Sequence, residues 1–243
     1  MCHDDTSRPP AAPGSAAAGT HGEIGLIAAD GNSFAAYAAL PAAPADAGVV
    51  ILPDVRGLHA FYRDLAVRFA EAGMPAVAID YFGRTAGTGD RSGAFEYMPH
   101  VQQTTPEGVA ADVAAAVAHL RSPDGGAVTS VFTVGFCFGG AYSWRQSADT
   151  PGLAGAVGFY GRPERAAEVA GRMTAPLLML MGGADQGIPV AGVERFADDV
   201  PVEATLVVYE GAPHSFFDRA FADHADACAD AWTQITAFVR RDS

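Results

Sequence analysis

The chain has 243 residues, 49% of them hydrophobic and 18% charged, which is enough apolar material to bury a core and too much for a disordered polypeptide. Its 15 basic residues against 28 acidic ones leave a formal charge of −13, a field that repels nucleic acid and anionic membranes alike. No apolar run approaches the roughly 20 residues of a membrane-spanning helix, so neither nucleic acid nor membrane is an expected partner.

The opening residues, MCHDDTSRPP, lack the basic and apolar regions of a secretory signal, and Ala, Pro, Gly and Ser follow up to about Gly19. Residues 1–22 therefore read as a flexible tail and 23–243 as a single domain. Cys2, Cys137 and Cys228 stand far apart, with no disulfide framework or C-x-x-C site. That usage fits a reducing cytoplasm.

Two short apolar runs, Glu23 to Ala29 and Ser33 to Leu40, flank Asp-Gly-Asn and predict an opening hairpin. Gly48 to Leu52 reads as a strand buried on both faces, Phe61 to Ala72 has helical spacing, and Met74 to Ile79 supplies the next strand. From Tyr81 to about Thr104 no period is visible, and long loops of this kind are often functional. An amphipathic helix follows over Pro106 to Leu120. Beyond it the spacing predicts strand Ser130 to Val134, helix Gly139 to Ala148, and strands Ala154 to Tyr160 and Pro176 to Met181. Helix Val190 to Asp199, strand Ala204 to Tyr209 and a last helix from about Ala220 to Val239 complete the series. Such alternation predicts an α/β fold: a mostly parallel central sheet with helices on both faces and an N-terminal antiparallel hairpin.

The strongest local signal is G-F-C-F-G-G, Gly135 to Gly140, between a predicted strand and a helix. This is the nucleophile-elbow pattern of the α/β-hydrolase fold with cysteine where serine is usual. Flanking glycines are needed there because the turn is tight, and a cysteine at a helix N-terminus is favoured as thiolate. The N–H of Phe138 points to where an oxyanion would form. M-G-G-A-D-Q-G-I-P places Asp185 just after one strand, and E-G-A-P-H-S-F places His214 just after the last. In a parallel sheet both belong at the carboxyl edge, beside the elbow, and the order nucleophile, acid, histidine is that of α/β-hydrolases. A lone Asp in a loop is usually a cap and a lone His a surface group, but three coincidences in order leave that explanation weak. No phosphate loop, H-E-x-x-H or other metal-ligand spacing is present, and His119 on its helix reads as structural. Neither metal nor organic cofactor is expected.

Taken together, the three motifs resemble the dienelactone hydrolase family over roughly Glu23 to Val239. The resemblance implies an enzyme that opens a small lactone or cleaves a small carboxylic ester through an acyl-enzyme, with Cys137 as nucleophile, His214 as base and Asp185 as orienting acid. It also implies that the N–H of Val55 is the second oxyanion donor. The family carries a glutamate that modulates the nucleophile's proton in a pattern like E-I-x-G, and D-V-R-G here puts Asp54 in its place. Of two arginines that hold a substrate carboxylate in the family, the first matches Arg84 in D-Y-F-G-R, so an anionic substrate is one implication. The place of the second is Asp218, with Arg219 next door, and Arg56 is a candidate substitute. The rival reading is a non-catalytic ligand-binding or thiol redox-sensing protein on the same fold, with Cys137 as an oxidisable thiol.

Overall fold

A computed structural model describes residues 6–93 and 95–241 of the chain; Cys2 lies outside the described residues. One eight-stranded sheet runs through it, formed by β1 (Ala18–Ile27), β2 (Ser33–Pro41), β3 (Ala47–Leu52), β4 (Ala76–Ile79), β5 (Ser130–Phe136), β6 (Gly155–Phe159), β7 (Leu177–Gly182) and β8 (Ala204–Tyr209). Their order is β1-β2-β4-β3-β5-β6-β7-β8. The β1–β2 and β2–β4 pairs are antiparallel, and every pair beyond them is parallel.

The hairpin closes through Asp30, Gly31 and Asn32, with Gly31 at φ 87° and the Ala28 N–H donating to the Asn32 carbonyl at 2.8 Å. The interior strands are continuous apolar runs because both of their faces are covered, and every residue of β3, β4, β6 and β7 is buried.

Helices α1 (Ala60–Glu71), α4 (Pro106–Arg121), α5 (Phe138–Asp149), α6 (Val190–Asp199) and α7 (Ala225–Arg240) cover the sheet. On one side Leu65 and Phe69 of α1 join Trp232 and Ile235 of α7 in one core cluster; Val109, Val113 and Leu120 of α4 belong to a second. Both α1 and α4 start on a cap, since the His59 side chain accepts from the Phe61 N–H and Thr105 from the Gly108 N–H. This is the α/β-hydrolase arrangement, and its parallel strands bring the ends of β3, β5, β7 and β8 to one edge of the sheet.

Two segments differ from expectation. Residues 81–104 hold two short helices, α2 (Gly83–Ala86) and α3 (Met98–Gln103), which are too short to show a period. From Pro10 to Ala16 the described part of the N-terminal segment, expected as a flexible tail, contacts the domain. Ala12 is buried in the core, the Pro10 carbonyl accepts from Trp232 Nε1 at 3.1 Å, and the Ala16 N–H donates to the Glu71 carbonyl at 2.8 Å. Strand β1 accordingly starts at Ala18, before the expected Glu23.

Candidate active site

Strand β5 ends at Phe136 and α5 begins at Phe138, leaving Cys137 at the junction with φ 54° and ψ −109°. A side chain on left-handed backbone costs on the order of 1–3 kcal/mol and persists only where the surroundings impose it. Here they do so by close packing. A Cβ on Gly135 would lie 2.0 Å from the Gly139 carbonyl oxygen, and one on Gly139 would lie 2.2 Å from that of Leu52. The elbow is therefore wedged backbone to backbone between β3 and α5. Its ends are tied as well: the Cys137 N–H donates to the Phe159 carbonyl at 3.0 Å, and the Cys137 carbonyl accepts from the Gly140 N–H at 3.1 Å.

Asp185 sits in the turn after β7, with Oδ2 2.6 Å from His214 Nδ1. Its other oxygen accepts from the N–H groups of Gly187 at 2.8 Å and Ile188 at 3.2 Å. Burial pushes this carboxyl up, but the His214 hydrogen bond and charge, with the two N–H groups, outweigh it and hold the group below its ordinary value. A carboxylate bound at Nδ1 assigns the Nδ1–H tautomer and leaves Nε2 as the basic nitrogen. His214 follows β8, and its ring packs against that of Tyr160 with centroids 4.8 Å apart. The thiol of Cys228, by contrast, lies inside α7, where burial pushes it up to about 12 and makes it a poor nucleophile.

Cys137, Asp185 and His214 line one cavity of about 550 Å³, together with Val55 and Phe138. Phe138 opens α5, where backbone N–H groups have no intrahelical acceptor. Val55 stands in the loop between β3 and α1. The cavity thus gathers a thiol, a carboxylate-bound imidazole and a helix N-terminus, the components of covalent acyl transfer.

The remaining expectations fare differently. Asp54 is buried, and its carboxylate accepts from the Arg56 N–H at 2.8 Å, Nε at 3.1 Å and Nη2 at 2.9 Å. That pairing offsets the negative charge on which a direct effect of Asp54 on the Cys137 thiol depends. Arg56 is correspondingly internal, joined to Asp54 and Asp218 and absent from the cavity wall. Arg84, expected to hold a substrate carboxylate, donates to Asp112 at 2.8 and 2.9 Å and to Asp30 at 2.6 Å, so two carboxylates occupy its fork, and it is not among the residues that line the cavity.

The arginines that do line the cavity are Arg162, Arg165 and Arg219, none of which has a carboxylate partner among the described residues. Arg165 lies 5.0 Å from the Phe138 ring centroid. The signal for two of them was positional: Arg162 and Arg165 follow directly on the carboxyl end of β6. Met98 and Val101 of α3 add an apolar wall. Among the described residues, no group of three or more His, Cys, Asp or Glu side chains could hold a metal ion, and no helix is long and apolar enough to cross a membrane.

Comparison with known proteins agrees with this geometry. Residues 34–243 match the model of the dienelactone hydrolase family. The chain is 29% identical over 238 residues to a Methylorubrum extorquens protein provisionally named carboxymethylenebutenolidase, covering 90% of this chain and 80% of the other. It is 28% identical over 230 residues to a Bradyrhizobium protein provisionally named 2-oxo-3-(5-oxofuran-2-ylidene)propanoate lactonase, covering 88% and 92%. A crystal structure from Klebsiella pneumoniae, provisionally described as a dienelactone hydrolase, superposes with a TM-score of 0.76 at 26% identity, covering 91% of this chain and 99% of that one. The chain belongs to the dienelactone hydrolase family of α/β-hydrolases and is an enzyme of the ester- and lactone-hydrolysing class.

Proposed function

We propose that the protein hydrolyses a small lactone or carboxylic ester through a Cys137–His214–Asp185 triad, and that the substrate carries an anionic group. The observation that carries this reading is the convergence of all three side chains on one cavity, with the imidazole already bound to its carboxylate at 2.6 Å.

His214 Nε2 takes the thiol proton, and the Cys137 sulfur attacks the carbonyl carbon to form a tetrahedral adduct. The oxyanion is held by the N–H groups of Phe138 and Val55. Collapse breaks the C–O bond, and the proton on His214 passes to the departing alkoxide, which in a lactone stays tethered to the acyl group. Water, deprotonated by His214, then attacks the thioester and regenerates the thiol. Asp185 holds the imidazole in its tautomer and stabilises the charged form.

The anionic group is assigned to Arg162, Arg165 and Arg219. In a chain of net charge −13 a diffuse field repels anions, whereas a guanidinium fork binds a carboxylate through two directed hydrogen bonds. The lactone named for the Bradyrhizobium relative bears a propanoate, which agrees with that polarity.

The test is a panel of chromogenic esters and lactones, matched with and without a carboxylate. Wild type should give a burst stoichiometric with protein and abolished by thiol alkylation, and Cys137→Ala should lower turnover by about 10³ or more. A folded Cys137→Ala variant with full activity would falsify the triad. Binding without a burst would point instead to the ligand-binding or redox-sensing reading.

A further inference from the structure

We infer that Arg56 is a positioning residue, a buried clamp that holds the loop carrying Val55 in register with the loop carrying His214. The inference rests on the proposed roles of those two residues.

Val55 belongs to a turn formed by Asp54 to Gly57, in which the Gly57 N–H donates to the Asp54 carbonyl at 3.2 Å and Asp54 Oδ1 accepts from the Arg56 N–H at 2.8 Å. From behind, the Tyr81 hydroxyl is aimed at the Pro53 and Asp54 carbonyls and lies 2.9 Å from the latter. On the other side, His214 begins a turn in which Ser215 has φ 61° and the Asp218 N–H donates to the Ser215 carbonyl at 3.0 Å. These turns are 162 positions apart in the chain, and the Arg56 guanidinium ties them together. It pairs with Asp54 at 2.9 Å and with Asp218. Each side chain of this triplet is no more than 4% exposed.

Three features make the triplet a clamp rather than incidental pairing. A fixed planar fork meets carboxylates from both loops, so neither loop can shift without breaking a charge-assisted hydrogen bond. The guanidinium also packs over Phe61 and Tyr62, 5.4 and 5.6 Å from their centroids, which fixes its plane against α1. Finally, the triplet is buried, so water cannot replace a lost partner and rupture is expensive. The clamp does not include the elbow: Cys137 is held by its own backbone contacts to Phe159 and Gly140. Loss of the clamp should therefore spoil the alignment of oxyanion donor and base while leaving the nucleophile intact.

Two variants test this, Asp218→Asn, which keeps shape and loses charge, and Arg56→Lys, which keeps charge and loses the fork. Amide hydrogen exchange is followed in peptides covering residues 53–57, 213–218 and the start of α5, together with Cys137 alkylation by iodoacetamide and hydrolysis of p-nitrophenyl acetate. Asp218→Asn should raise exchange about tenfold in residues 53–57, on the opposite loop, and leave the start of α5 unchanged. Both variants should lower kcat about tenfold to a hundredfold, the loss expected when a reacting group is misplaced by about 1 Å. Their KM should stay within twofold of wild type, and alkylation should slow by less than kcat falls, since alkylation draws on the base but not on the oxyanion donor. Unchanged exchange across residues 53–57 would overturn the clamp, as would unchanged kcat or an equal fall in alkylation and kcat. A wild type that does not turn over the ester would sink the hydrolase reading, while the exchange data still decide whether the loops are coupled.

Discussion

The Asp185 carboxylate does two things at once, accepting two backbone N–H groups through one oxygen and the imidazole through the other. Asp185→Asn separates them. The amide oxygen still accepts from Gly187 and Ile188, but its NH2 faces Nδ1 and selects the wrong tautomer. We expect kcat to fall by a factor on the order of 10⁴ with little change in KM or in melting temperature. A rise in KM at constant kcat would make Asp185 a substrate contact. The arginines give a second residue-level contrast. Arg162→Ala and Arg165→Ala should each lower kcat/KM about tenfold to a hundredfold for an anionic ester and spare a neutral one, as loss of a charged hydrogen bond worth about 1.5–3 kcal/mol requires. Arg84→Ala should leave both ratios unchanged yet lower the melting temperature, because Asp112, fully buried and already pushed up by burial, loses its charged partner and keeps only the Asn32 amide among the described residues. The contrast shows why the cavity position of Cys137, Asp185 and His214 could be read from sequence and the carboxylate partners of Arg84 could not. Elbow, acid and histidine sit in turns whose local residues dictate their placement. A guanidinium at the end of a long side chain goes to whichever carboxylates the fold presents, and those of Arg84 lie 54 and 28 positions away.

At the scale of elements, strands and longer helices announce themselves because burial on both faces gives continuous apolar runs and burial on one face gives a period. The stretch from Tyr81 to Thr104 has neither. A buried pair helps to anchor it, Arg91 Nε 3.0 Å from Asp80 Oδ2 at the end of β4, with the Arg91 guanidinium also 4.6 Å from the Phe95 centroid. Burial pushes the Asp80 carboxyl up to about 6, against the opposing charge of Arg91, from an ordinary 3.8. Between those two values the folded chain binds more protons than the unfolded one, so this group's contribution to stability is complete below the lower value and is lost as pH rises through the higher. Asp80→Asn removes that slope. Melting curves of both proteins from pH 4 to about pH 7 should show wild type losing ground to the variant as pH rises. Parallel curves would mean that Asp80 titrates alike in both states.

Across the whole molecule, the least legible part was the N-terminus. Its Ala, Pro and Gly content describes how a free chain behaves, whereas its position depends on a groove between α1 and α7 that only the folded domain provides. Deleting residues 1–17 removes the carbonyl that accepts from Trp232 Nε1 and uncovers the patch under Ala12. Exchanging that hydrogen bond for one to water costs about 0.5–1.5 kcal/mol, which corresponds to roughly 1–6 °C in melting temperature for a chain of this size. Tryptophan emission should shift to longer wavelength as well. An unchanged melt and spectrum would show that the segment does not pack in solution.

The cavity wall is divided by origin. The proposed reacting groups stand at the ends of strands or the start of a helix, wedged into the sheet, whereas Met98, Val101, Arg162 and Arg165 line the cavity from connecting segments outside it. Inheritance can act on these two populations separately. On the proposed reading, drift in the outer set alters which molecules are accepted while the elbow's backbone contacts stay in place. A lineage built on this chain would then acquire new substrates by small steps that keep the proposed reacting groups.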